Sequence, residues 1–342
     1  MEKGTISNVF VRAAVAGLRG DAARLGRVLS AAGIPDDLLN APDARVPADR
    51  FSALWLAVAQ ELDDEFLGLD SRRMKRGSFA LVCQSLIYAR TLERALQQAL
   101  RGFAVVFDDL RGDLTVEGEA ARLGVANRIA DPPSRIFADE LFLVILRGLI
   151  CWLAGRRIPF ARASFAFSRP AHSVEYHAMF TSDLAFGAAE TAIWFDVRYL
   201  KCPVVQDEAG LKQFLRDAPQ SVFMRYKNTD GWVARVRRRL RRLDRDQWPT
   251  LEAMADELHV TASTLRRRLE DEGSSYRELK DDLRRDMAID LLCRTSLSVE
   301  AIAADLGYQE VSAFYRAFKH WTGTPPGSYR GAAPGRASAR ST

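Results

Sequence analysis

No stretch of this 342-residue sequence approaches the roughly 20 consecutive apolar residues that a membrane span requires, and its first residues lack the basic segment and apolar core of a secretory signal. A cytoplasmic protein without membrane contact is therefore expected. Cysteine is scarce: Cys83, Cys151, Cys202 and Cys293 are scattered without metal-ligand spacing and read as reduced, partly buried residues. Histidine is equally scarce, and His172 and His177, five residues apart, have no third ligand nearby with which to hold zinc. There is no G-x-S-x-G, no Walker lysine loop and no dinucleotide glycine motif after a strand. Asp108, Asp109 and Asp113 read as a turn. No catalytic residue, metal or cofactor is expected, which argues against an enzyme.

Present instead is the composition of an ordinary globular protein, 48% hydrophobic and 27% charged, in a chain long enough for two domains. Of the formal net charge of +5, about +4 lies from Trp232 onward. A basic excess confined to one region suggests an anionic partner for that region.

That region is a sequence written twice. TLEAMADELHV (Thr250 to Val260) aligns with SVEAIAADLGY (Ser298 to Tyr308), at an offset of about 48 residues. After one extra residue in the second copy, Leu265 matches Phe314 and Leu269 matches Phe318. Each copy reads as two short helices joined by a tight turn, with Ala255 and Ala303 where the helices approach most closely. Gly307 suits a left-handed cap at the second turn, whereas His259 at the first does not. A helix-turn-helix puts its second helix into the major groove of DNA.

The groove-facing side chains follow from the core-facing ones. With Leu265 and Leu269 inward, Thr261 caps the second helix, Ala262, Ser263 and Thr264 form its first turn, and Ser263, Arg266, Arg267 and Arg268 present hydrogen-bonding groups outward. Glu270, Asp271 and Glu272 should point away from phosphates. In the second copy Val311, Ser312, Ala313, Arg316 and Lys319 occupy the corresponding surface, after Gln309 as a poorer cap. The first copy is therefore expected to supply most base discrimination. Between the copies, Leu279, Leu283, Met287 and Leu291 fall four apart on a helix of about 20 residues, near 30 Å and close to one turn of B-DNA. The run WVARVRRRLRRLDRD opens the region as a helix whose arginines form either a solvated face or phosphate contacts.

Upstream, helical periodicity ends at Gly33 for one helix and recurs through Phe51 to Leu62, Phe79 to Tyr88, Leu92 to Phe103 and Ile136 to Leu153. Alternation marks short strands between Val105 and Arg128, at Ala163 to Ser168 and at Ala192 to Val197, with a short helix near Val174 to Phe180. Trp55, Tyr88, Phe107, Phe165 and Trp194 are candidate walls of a ligand pocket, with plain core packing as the alternative. The expected organisation is an α+β effector and dimerisation domain over 1–220, a linker over 221–231, an all-α DNA-binding domain over 232–331 and a disordered tail over 332–342.

The tandem motifs, the linking helix and the ending GYQEVSAFYRAFKHWTGTPPGSYR resemble the DNA-binding domain of the AraC/XylS family of bacterial transcription regulators. Residues from about 20 to 205, in segments such as GSFALVCQSLIYARTLERALQQALRGFAVVF, are similar to the arabinose-binding-type N-terminal domain of one branch. That resemblance implies double-stranded promoter DNA and RNA polymerase as partners, a small-molecule effector in the N-terminal domain, and a homodimer. It leaves the effector's identity open. Two rivals differ: a DNA-repair alkyl acceptor, for which the cysteines are wrongly placed, and a regulator governed by a protein partner or by abundance.

Overall fold

The structure is a computed structural model that describes residues 4–219, 222, 231–244, 247–272 and 274–330. Most of the expected linker and the whole of the expected tail lie outside the described residues.

The N-terminal part begins with helices. Strand β1 (Thr5–Ser7) pairs antiparallel with β2 (Arg45–Pro47), a small ribbon that the sequence patterning did not announce. Around it lie α1 (Asn8–Ala14), α2 (Ala22–Ala32), α3 (Ala48–Leu62), α4 (Ser78–Leu86) and α5 (Leu92–Val106). Local chemistry sets their ends: Asp21 accepts from the Arg24 amide at 3.0 Å to start α2, and Gly33 at φ 64° stops it. Thr91 caps α5 in the same manner as Asp21 caps α2.

A five-stranded sheet follows, built from β3 (Leu110–Glu117), β4 (Ala120–Asn127), β5 (Arg162–Phe165), β6 (Leu184–Phe186) and β7 (Thr191–Asp196) in the order β3-β4-β7-β5-β6. All pairs are antiparallel except β5 with β6. Across it runs α6 (Pro132–Leu153), buried continuously from Phe137 to Leu153, so this helix is apolar all round because it is surrounded. Gly112 on β3 permits a close approach: a Cβ there would lie 2.5 Å from Leu100 and 3.1 Å from Phe142. The short α7 (Val174–Met179) and α8 (Glu208–Asp217) complete this α+β part.

The remainder is helical: α9 (Trp232–Leu240), α10 (Leu251–Glu257), α11 (Ala262–Asp271), α12 (Tyr276–Arg294), α13 (Val299–Asp305) and α14 (Val311–Thr322). One compact apolar cluster, including Val236, Leu240, Met254, Leu265, Leu269 and Leu283, joins α9 and the start of α12 to the first helix-turn-helix. The apolar residues of the second, including Ile289, Ile302, Phe314 and Phe318, are instead continuous with the N-terminal core.

Helix α12 serves both clusters, and its stripe is not the straight line the sequence spacing predicts. Leu279 and Leu283 are buried in the first cluster, but Met287 and Leu291 are only partly buried, and Ala288, Ile289 and Leu292 take over. Steps of four residues overshoot a turn of 3.6 by about 40° each, so the face rotates along the helix. Polar bonds fasten α12 to the N-terminal part: the Thr5 hydroxyl donates to Asp286 (2.6 Å), Arg50 to the Cys293 carbonyl (2.7 Å), and Arg294 pairs with Asp49 (2.7 Å).

Candidate DNA-reading surface and effector cavities

The two helix-turn-helix units share their turn geometry. Ala255 and Ala303 are fully buried between crossing helices, and the residues ending the first helix of each unit, His259 at φ 58° and Gly307 at φ 82°, both take the left-handed conformation. In each, the next amide donates back to that alanine's carbonyl at 3.0 Å, from Val260 and from Tyr308. Histidine thus does adopt the glycine conformation, at a steric cost that glycine avoids.

The second helices differ at their starts. Thr261 caps α11, accepting from the Thr264 amide at 3.2 Å, and its hydroxyl also meets that of Thr264 at 2.8 Å. At α14 the capping position is Glu310 rather than Gln309, one residue later than expected, and no side chain caps the helix.

With Leu265, Leu269, Phe314 and Phe318 inward, Ser263, Arg266, Arg267 and Arg268 are exposed on α11, and Ser312, Arg316 and Lys319 on α14. Ala262, Thr264, Val311 and Ala313 are partly covered at the same helix starts. Tyr315, 40% exposed beside Arg316, was missed by reasoning from charge and caps; an aromatic between two core positions is the signal that marks it.

The acidic end of α11 has a specific task. Both oxygens of Glu272 accept backbone N–H groups, from Trp232 at 2.7 Å and Val233 at 2.9 Å, so Glu272 caps α9 across space. The arginine run on α9 is partly consumed internally: Arg237 pairs with Asp282 of α12 at 2.6 Å, and Arg239 pairs with Glu257 of α10. Those two side chains hold α9 to the bundle, whereas Arg238, Arg241 and Arg242 are exposed.

Among the described residues, two cavities open in the N-terminal part. An inner one of about 60 Å³ lies among β1, α1, α3, α6 and α7, walled by Phe10, Phe51, Trp55, Phe137, Leu141 and Val144, with Thr5, Glu140, Arg147 and Glu175 as its hydrogen-bonding groups. An outer cleft of about 590 Å³ lies between α1 and the start of α6, among Val9, Ala13, Leu69, Ile136 and His172, with Arg12 and Arg19 in its wall. Phe137 and Glu140 border both.

Buried ionisable groups cluster here. Glu140 meets His172 Nε2 at 2.5 Å and accepts the Tyr176 hydroxyl, whose ionisation is pushed far up by burial and then by that carboxylate. Burial lowers Arg147 to about 10, and its guanidinium donates to the carbonyls of Met179 and Val222.

Of the five aromatics singled out as pocket walls, Trp55 alone lines either cavity. Phe107 stacks on Phe103 in the core at 5.8 Å, and Phe165 packs among Tyr176, Phe180 and Phe186. Tyr88 is 69% exposed and donates to Glu208, while Trp194 donates to Glu117 at 3.1 Å under the Arg162 guanidinium. Arg147 and Glu140 were missed, although charges inside the apolar run of α6 were the available signal. Among the described residues no helix is long and apolar enough to cross a membrane, and no group of three metal-binding side chains occurs.

The chain is similar to known transcription regulators over most of its length. The chain is 27% identical over 304 residues to the ornithine utilization regulator of Pseudomonas aeruginosa, covering 89% of each chain. It is 29% identical over 309 residues to the HTH-type transcriptional regulator VirS of Mycobacterium tuberculosis, covering 87% of this chain and 88% of that one. Among solved structures, the transcriptional regulator CdpR from Pseudomonas aeruginosa aligns over 90% of this chain and 96% of its own, at 22% identity and a TM-score of 0.33. A helix-turn-helix domain family matches residues 254–332. Residues 23–204 match the N-terminal arabinose-binding domain of AraC transcription regulators, and the chain belongs to that family of DNA-binding transcription regulators.

Proposed function

We propose that α11 and α14 enter successive major grooves of promoter DNA, and that a small metabolite held in the N-terminal part changes how they do so. The observation that carries the first half is the division of faces. On each helix apolar side chains are fully buried, while Ser263, Arg266, Arg267 and Arg268, or Ser312, Arg316 and Lys319, face outward. Arginine on such a face can take guanine bidentately, and lysine and serine can reach phosphates. Ala262, Thr264, Val311 and Ala313 complete the contact surface at the helix starts. The first copy, with three consecutive arginines, does most of the discrimination; the second contributes Arg316 among small residues. Homodimerisation and contact with RNA polymerase belong to the same reading.

Selection of bound duplexes from a random pool, repeated with variants, tests the assignment. Arg266→Ala should relax preference at one or two base positions and cost about 1–3 kcal/mol there. A larger loss of preference from Arg316→Ala would reverse the assignment of the two copies. For the effector, thermal shift of the full chain against metabolites should begin with basic amino acids, given the relative linked to ornithine utilization. Stabilisation that grows with ligand concentration is the expected result. Regulation by a protein partner or by abundance would leave every such compound without effect.

A further inference from the structure

Of the threonine, glutamate and arginine side chains in the wall of the inner cavity, one reaches α12 directly, one is linked to the chain beyond through Arg45, and one meets the segment after α8. The Thr5 hydroxyl on β1 donates to Asp286 of α12 at 2.6 Å. Glu175 on α7 is the partner of Arg45, whose Nε donates to Thr5 Oγ1 at 2.7 Å and whose amide donates to the Tyr329 hydroxyl at 3.1 Å. Arg147 on α6 donates to the carbonyl of Val222, in the segment leading toward the DNA-binding part, at 3.5 Å. The fourth, Glu140, turns to His172 and Tyr176 and borders the outer cleft.

The bonds at α12 have little slack. Burial would raise the Asp286 carboxyl, yet Arg285, Arg45 and Arg237 outweigh it and hold it low, so Asp286 stays an anion beside the Thr5 hydroxyl. A shift of about 1 Å of β1 against α12 takes the 2.6 Å Thr5–Asp286 hydrogen bond out of range. Such a shift is what a fuller cavity would cause, because Thr5 and Ile6 form one wall and Glu175, Ala178 and Met179 another.

Size and lining indicate the occupant. A single water needs roughly 10–15 Å³ of such space, so about 60 Å³ admits only a few heavy atoms. Most of the wall is aromatic and aliphatic, which favours hydrocarbon over a polar group.

We propose that the inner cavity is the seat of a short alkyl group of an effector, and that filling it loosens the grip of β1 on α12 through Thr5, whose hydroxyl is also held by the Glu175-paired Arg45. This rests on the reading of the N-terminal part as effector-responsive. The ligand acts because it fits one arrangement better than the other. The rest of the effector lies across Phe137 and Glu140 in the outer cleft, which is of ordinary ligand size.

A side chain of the protein can serve as the probe. Val144 lines the cavity and is 3% exposed, so Val144→Ile adds one methylene to it and Val144→Phe a larger group. Hydrogen exchange of the full chain, followed in peptides spanning 280–294, should accelerate at least threefold in either variant that melts cooperatively. In a Thr5→Val background, which keeps the shape and removes the hydroxyl, the same change should add less than 1.5-fold. Unchanged exchange in the conservative Val144→Ile variant and in a folded Val144→Phe variant would overturn the proposal. So would an equal acceleration with and without the Thr5 hydroxyl. No metabolite takes part, so a failed ligand screen leaves this result standing; a negative result here removes the inner cavity while leaving the outer cleft as the effector site.

Discussion

Single residues in this protein carry costs that can be read from their surroundings. His259 sits at φ 58° where the matching turn has Gly307, and a side chain with a Cβ is strained there by about 1–2 kcal/mol, part of which glycine returns through a freer unfolded chain. His259→Gly should therefore raise stability by about 0.5–1 kcal/mol in urea unfolding without changing base preference. Asp139, 3% exposed on α6, is raised by burial to about 6, although Asn127 and Thr191 hydrogen-bond to it. A carboxyl whose folded value lies above its unfolded one binds more protons when folded, so its contribution to stability falls as pH rises from about 4 to about 6. The loss is on the order of 3 kcal/mol. Unfolding free energies at pH 4.5 and pH 7.5 should differ less in Asp139→Asn than in the parent; an equal difference would show that other groups set the dependence.

At the level of elements, what was legible depended on whether a partner close in sequence sets the structure. The tandem helices were legible because Leu265, Leu269, Phe314 and Phe318 repeat at helical spacing, and the cap at Thr261 lies three residues from the amide it accepts from. The β1–β2 ribbon was not, since each strand is three residues long and their pairing spans some 40 residues. Phe107 and Phe165, which lie in core away from both cavities, resisted prediction for the same reason: burial in core and burial against a cavity look alike along the chain. The cap on α9 belongs to this hidden class, because its acceptor, Glu272, lies about 40 residues downstream at the end of α11. Removing it in Glu272→Ala leaves two amides at the start of α9 without their acceptor, which should cost about 1–2 kcal/mol. Urea unfolding would register that loss, whereas relative affinities for different duplexes should be unchanged, since Glu272 faces α9 rather than the exposed arginines.

Across the whole molecule the two DNA-reading units are unequal neighbours of the N-terminal part. The first keeps its own apolar cluster, while the second shares one with the helices and sheet upstream. A fragment of residues 231–330 should therefore lose more hydrogen-exchange protection over 299–322 than over 251–271, relative to the full chain, and equal loss would contradict that partition. The rotating stripe of α12 has a further consequence. Inserting one residue midway would turn everything beyond it by about 100° and advance it about 1.5 Å, whereas one added base pair turns B-DNA by only about 34° over about 3.4 Å. No change of operator spacing matches that motion, and the insertion would also swing Ile289 and Leu292 out of their cluster. Under the proposed reading of successive grooves, the length of α12 is thus a fixed gauge to which the spacing of the promoter sites must conform.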